Sequence, residues 1–170
     1  RVGDHVAVVG LGIIGLLVTA TLSQGFGDVA GGGITAIEPQ SGRRSAASGL
    51  PGVQGLGPKA LTTESHTPFD VTIEVSGVSA GLQTAVDHTA HSGRIVLGSW
   101  YGDKRLTSPP LRLGLDFHRS HFEIITSQVS EIRAELRGRW NKDRRFEASW
   151  KLLRQIRPSQ LIAPKKVHLT

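Results

Sequence analysis

Residues 4–23 read DHVAVVGLGIIGLLVTATLS. His5–Val9 is a short β-branched apolar run that follows the turn-like pair Gly3-Asp4 and breaks at Gly10, which predicts a buried strand. From Gly12 to Ser23 apolar residues fall on nearly every side of a helical projection, predicting a helix packed between a sheet and a neighbour and ending before Gly25. Where the strand turns into the helix stands Gly10-Leu11-Gly12-Ile13-Ile14-Gly15, a GxGxxG pattern. Each glycine has a physical reason. The first permits the tight turn, the second lets a diphosphate approach the backbone, and the third lets the helix pack on the strand. The free N–H groups and the helix dipole then hold the anion, with no side chain required.

The same stretch is the one that a membrane reading would use. Val6–Val18 is apolar if its three glycines are counted, but at 13 residues it falls short of the ~20 that a spanning helix needs. A signal peptide is excluded by the glycines, each of which costs a helix about 1 kcal/mol relative to Ala.

Beyond the helix, Gly25–Gly33 holds five glycines in nine residues and cannot stay regular; Ile34–Glu38 then reads as a second strand stopped by Pro39. Glu38 lies 23 residues past Gly15, close to the ~20 expected for the acid that accepts hydrogen bonds from an adenosine ribose. A carboxylate there repels a 2′-phosphate, so the pattern favours NAD over NADP. Arg43 is the opposing clue, since it could meet a 2′-phosphate or lie over the adenine.

Ser41–Gly49 suggests a short helix, and Leu50–Thr67, rich in Gly, Pro and Thr, offers no convincing strand. Phe69–Val75 reads as a strand, Ser79–His91 as a helix, Arg94–Leu97 as a strand ending at Gly98, and Phe122–Ser127 as a last strand after the Pro109-Pro110 loop. Alternating strands and helices imply an α/β fold: a doubly wound parallel sheet of Rossmann type with helices on both faces.

Composition agrees. The 170 residues, 38% hydrophobic and 20% charged, suit a single packed domain rather than a disordered chain. The absence of Cys removes disulfides, thiolate zinc sites, iron–sulfur clusters and a cysteine nucleophile, and fits a reducing, cytoplasmic setting. The net charge of +6 is carried by the C-terminal part, with eleven Lys/Arg against four Asp/Glu from Glu131 onward and nine against ten before it. In that part Phe146, Trp150 and Leu153 follow amphipathic-helix spacing. A solvated helix face is favoured over nucleic-acid binding, because no groove-reading motif or interleaved exposed aromatic is evident; Trp140, Phe146 and Trp150 are expected in a core.

The runs GDHVAVVGLGIIGLLVTATL, ITAIEPQSGRRSAASGL, FDVTIEVSGVSAGLQTAVDHTAHSGRIVLGSWYG and FHRSHFEIITSQVS together resemble the coenzyme domain of the zinc-containing medium-chain alcohol and polyol dehydrogenases, over about Val2–Ile156. The resemblance implies a dinucleotide-binding domain at 1–156 and a tail at 157–170. It implies an NAD(H) site made by Gly10, Gly12, Ile13, Ile14, Gly15, Glu38 and Arg43, with Ser76, Gly77, Gly98, Ser99 and Trp100 bordering the nicotinamide ribose and ring. The family's activity is hydride transfer between an alcohol carbon and nicotinamide, with zinc polarising the oxygen. Zinc and the proton relay belong mostly to an N-terminal domain that would precede Arg1. The chain has no Met, so a fragment supplying only the coenzyme half is expected, with no catalytic residue and no metal of its own. The strand Phe122–Ser127 is expected to pair with its copy in a homodimer. Three departures stand out: the long glycine-rich connection, the degenerate third-strand region, and the closing LIAPKKVHLT.

Other chemistry is poorly served. His88 and His91, like His118 and His121, lie three apart, but two ligands make no metal site. Tyr101 and Lys104 are one residue too close for a Tyr-x-x-x-Lys pair, and no G-x-S-x-G elbow is present, which sets aside short-chain dehydrogenase and hydrolase chemistry. An adenosine-binding methyltransferase fits the bulky aliphatic pair between the glycines less well than a dinucleotide does. The remaining alternative is a truncated, non-catalytic nucleotide-fold module whose basic C-terminal helix binds a polyanion or a protein.

Overall fold

The computed structural model describes residues 3–26, 33–62, 66–102 and 110–162. Two compact units emerge, Arg1–Ser127 and Gln128–Thr170.

The first unit is built on six parallel strands, β1 (His5–Val9), β2 (Gly33–Ile37), β3 (Val53–Leu56), β4 (Phe69–Glu74), β5 (Thr89–Leu97) and β6 (Glu123–Thr126), in the order β3-β2-β1-β4-β5-β6. From β1 the chain proceeds outward to β2 and β3; it then returns to β4 on the other side of β1 and proceeds to β5 and β6. Because crossovers between parallel strands are right-handed, this reversal of direction places helices on opposite faces and makes the fold the doubly wound Rossmann type. The register aligns the exits of the central strands: Val9 lies opposite Ile37 and Glu74, and Glu74 opposite Leu97.

The central strands are apolar because both faces are covered. Ala7, Val8, Ala36, Ile37 and Ile95 are at most 2% exposed. Ala7, Val9, Ile37, Leu61 and Phe69 form one cluster with Leu56 against it; Leu82, Ala85, Val86 and Ile95 form another, flanked by Tyr101, Phe117 and Phe122. Helix α1 (Ile13–Phe26) buries one stripe, Gly15, Leu16, Thr19, Ala20 and Ser23, rather than every side, and leaves Ile13 and Ile14 63% and 62% exposed.

Two boundaries differ from the sequence reading. β3 occupies Val53–Leu56, inside the segment that offered no strand. Its central Gly55 weakens β propensity, yet a Cβ there would come within 2.8 Å of the Arg44 carbonyl oxygen on α2 (Ser41–Ser48), so close helix–strand packing demands the glycine. Helix α3 (Ser79–His88) ends three residues early, and β5 begins at Thr89. The Thr89 hydroxyl donates to the Ala85 carbonyl (2.6 Å) and meets that of Thr72 (2.8 Å), which ties the extended residue to β4. The pairing with β4 then jumps from Phe69↔Thr89 to Val71↔Arg94, a bulge that holds Ser92 at φ 58°.

The short helix α4 (Leu115–Arg119) precedes β6. In the second unit α5 (Lys142–Ile156) is capped by Asn141, whose side-chain oxygen accepts from the Arg144 amide (2.8 Å), and Arg144 stacks 4.5 Å from the Trp140 ring centre. Phe146 and Trp150 are 61% and 60% exposed, which corrects the expectation that they lie in a core. The amphipathic spacing is real, but α5 buries no residue.

Candidate functional site

The site begins at the exit of β1. Gly10 adopts φ +92° and its amide donates to the Ile37 carbonyl (2.9 Å), which fastens the turn to β2. A side chain is excluded twice over, by that φ and because a Cβ would come within 2.5 Å of the Ser76 Cα. A Cβ on Gly15 would overlap the Gly10 carbonyl oxygen, so this glycine seats α1 on the turn. Gly12 is different: a Cβ there meets no heavy atom within 4 Å. The protein has no packing reason for glycine at that position, and the open space lies against the first turn of α1. The first turn's amides, those of Ile13, Ile14 and Gly15, have no partners within the helix, the first helical bond running from the Leu16 amide to the Gly12 carbonyl (2.9 Å).

Glu38, one residue past β2, is 4% exposed. One carboxylate oxygen accepts from the Leu11 amide (2.8 Å) and the other from the Gln40 amide (3.1 Å). The acid therefore clamps the glycine turn. Arg43 approaches the carboxylate at 3.8 Å from the exposed side, while Arg44 is committed to the Glu38 and Pro39 carbonyls (2.8 and 2.6 Å).

Across the reversal point the chain leaves β4 through Val75-Ser76-Gly77, with the Val75 amide bonded to the Val9 carbonyl (2.9 Å). Gly77 adopts φ +70° and donates to the Ser99 hydroxyl (2.8 Å). Gly98 donates to the Glu74 carbonyl (2.9 Å), and a Cβ on it would press to 2.8 Å on Val75. Trp100 is 88% exposed.

Between these exits lies a cleft of about 290 Å³, at the place where doubly wound sheets bind ligands. Of the residues expected at a coenzyme site, Gly10, Gly12, Glu38, Arg43 and Ser76 line it. Gly15 lies beneath the turn, Ile13 and Ile14 are exposed on the first turn of α1, and Gly77, Gly98, Ser99 and Trp100 stand on the β4 and β5 exits outside the lining. Sequence reasoning missed Val78, Gly81 and Thr84 on the opposite wall. Gly81 did carry a signal. A glycine inside a helix is costly, and here a Cβ would run into the Ser76 hydroxyl. It also missed Glu74 and Tyr101, whose side chains bond to each other.

The histidines pair differently from their sequence spacing: His88 faces His66, ring centres 4.8 Å apart, and His91 faces His121 at 5.5 Å. Burial, and then the neighbouring His66, hold the His88 pKa below its ordinary value. No group of three His, Cys, Asp or Glu that could hold a metal occurs among the described residues. None of the described helices is long and apolar enough to cross a membrane.

No family model matches the chain. It is 30% identical over 156 residues to D-guloside 3-dehydrogenase of Escherichia coli (strain K12), an alignment that takes in 90% of this chain and 44% of that protein. The chain is thus similar to part of the zinc-containing medium-chain alcohol and polyol dehydrogenases. The structure of 2R,3R-butanediol dehydrogenase from Bacillus subtilis, another such dehydrogenase, superposes with a TM-score of 0.56 at 26% identity, over 75% of this chain and 36% of that one. L-Idonate 5-dehydrogenase from Escherichia coli K-12 shares the fold with a TM-score of 0.65 at 18% identity, over 91% and 40%. Matching structures of this kind hold NAD, NADH or NADP. The chain spans less than half the length of each protein named here.

Proposed function

We propose that this chain is the NAD(H)-binding domain, residues 1–156, of an alcohol or polyol dehydrogenase. The observation that carries the reading is the pairing of an open Gly12 with a buried Glu38. A Cβ on Gly12, beside the first α1 turn, would meet no protein atom within 4 Å, and the Glu38 carboxylate at the β2 exit accepts from the Leu11 amide of the same turn; both support a diphosphate at the turn and an adenosine ribose beside the acid. Bound coenzyme would supply hydride chemistry. The chain's own residues would do the holding: Gly10 and Gly15 shape the turn, Gly12, Ile13 and Ile14 offer amides to the diphosphate, and Glu38 selects the ribose. Ser76, Gly77, Gly98, Ser99 and Trp100 would border the nicotinamide half. Arg43 would lie over the adenine, and Glu38 favours NAD over NADP by repelling a 2′-phosphate. Zinc would enter from a domain outside residues 1–170.

The dehydrogenase would work in the cytoplasm as a homodimer, joined through β6 at the sheet edge. Titration of the protein with NADH, followed by coenzyme fluorescence, tests the reading. Saturable binding that weakens at least tenfold in Glu38→Ala is expected, and a folded protein that leaves NADH fluorescence unchanged would overturn it.

A second reading draws on α5, where Trp150, Lys151 and Arg154, with Glu147 beside them, line one exposed hollow. On that reading the basic helix binds a polyanion, and a salt-sensitive mobility shift with DNA that NADH leaves unaltered would establish it.

A further inference from the structure

Glu74 is the last residue of β4 and is 0% exposed. A buried carboxylate costs several kcal/mol to desolvate, and no Lys, Arg or His pairs with this one among the described residues. An apolar residue of similar volume would serve a sheet interior better, so the acid calls for a different explanation.

Its hydrogen bonds supply one. Oε1 accepts from the Ser76 amide (2.8 Å) and from the Ser76 hydroxyl; Oε2 accepts from the Tyr101 hydroxyl. The backbone carbonyl of the same residue accepts from the Gly98 amide (2.9 Å) and from the Ser99 hydroxyl (3.4 Å), which in turn accepts from the Gly77 amide (2.8 Å). One residue therefore ties together both the loop leaving β4 and the loop leaving β5. Tyr101 also packs its ring against the Leu82–Ile95 cluster, while Trp100 between it and Ser99 is solvent-exposed. Burial and the Glu74 carboxylate raise the Tyr101 pKa, which keeps the phenol a donor.

We infer that Glu74 is a positioning residue, which through Ser76 and Tyr101 fixes the two strand-exit loops in the arrangement that receives the nicotinamide riboside half of the coenzyme. It touches no coenzyme itself. The inference rests on the dinucleotide reading above but adds a division of labour: Glu38 serves the adenosine half, Glu74 the other. Removing one hydrogen bond of the network should loosen the nicotinamide end and leave the adenosine end alone.

The test compares NADH with ADP, which keeps adenosine and the diphosphate but lacks nicotinamide and its ribose, by calorimetric titration of wild type, Tyr101→Phe and Glu74→Gln. Tyr101→Phe keeps the carboxylate and removes only the phenol; it covers the case in which Glu74→Gln fails to fold. The expected result is a fall of at least fivefold in NADH affinity with ADP affinity held within twofold, and a smaller blue shift of bound NADH emission. Equal losses for both ligands, as a merely structural role would give, overturn the inference, as does unchanged NADH affinity in a folded variant. A wild type that binds ADP as tightly as NADH overturns it too, because no contribution from the nicotinamide riboside half then exists to be lost. Failure of wild type to bind either ligand refutes the dinucleotide reading itself, and this inference with it.

Discussion

A methyl group added at Gly12 meets no protein atom within 4 Å, whereas one at Gly15 overlaps the Gly10 carbonyl oxygen. The two glycines look alike in the GxGxxG pattern but answer to different forces. Gly12→Ala should melt within a degree or two of wild type and bind NADH at least tenfold more weakly, because the added methyl occupies space left for a diphosphate. Gly15→Ala should lose about 1–3 kcal/mol or more of stability through overpacking. Urea unfolding beside NADH titration separates the two effects; a destabilised Gly12→Ala with unchanged affinity would reverse the assignment. Glu38 adds a charge argument. Its carboxylate is buried and already holds the Leu11 amide, so Glu38→Gln removes the negative charge while keeping an acceptor in place. The ratio of NADPH to NADH affinity should then rise about tenfold or more, roughly the effect of one close charge repulsion in a partly screened site. The placement of these residues was legible because the motif, strand, helix and acid follow one another at fixed spacing. Glu74 was not, since a single acid at a strand end carries no spacing signal until the fold brings Tyr101 to it.

Among the elements, β1 stands out in the sequence because a strand covered on both faces reads as an apolar run, and β2 and β4 through their β-branched residues. β3 does not, because the contact that places it, Gly55 against the Arg44 carbonyl, requires the residue that argues against a strand. Gly55→Ala should therefore destabilise the protein by about 1–3 kcal/mol, even though alanine is the better strand former; a thermal melt at or above wild type would contradict this. The end of α3 was hidden for a related reason, since Thr89 is turned out of the helix by a tertiary bond to Thr72 rather than by a breaker. Just before it, His88 has a pKa held below its ordinary 6.5 by burial. As pH falls below about 6.5 the unfolded chain takes up a proton that the folded chain resists, so stability drops on acidification until the folded pKa is passed, and this contribution is complete above about 6.5. In His88→Gln the loss of melting temperature between pH 7.5 and 5.5 should be smaller than in wild type, and an equal or larger loss would show that the charge change sits elsewhere.

Over the molecule, the reversal of strand order between β1 and β4 gathers the glycine turn, Glu38 and the β4 exit at one end of the sheet. At the sheet edge, β6 pairs only with β5 among the described residues and leaves Ile124 43% exposed. An uncovered edge strand of this kind invites a partner. Light scattering should give a dimer for wild type and a monomer for Ile124→Lys, whereas a monomeric wild type at high concentration would remove β6 as an interface. The exposed aromatic pair on α5 was misjudged because helical spacing reports that apolar residues share a face, not that anything covers it. The proposal that the turn at the β1 exit grips a coenzyme diphosphate is tested most directly by amide NMR of the ¹⁵N-labelled protein titrated with NADH. The amides of Gly12, Ile13, Ile14 and Gly15 should shift first and furthest, together with that of Leu11 bonded to Glu38; saturable binding that leaves these five amides unmoved would contradict it.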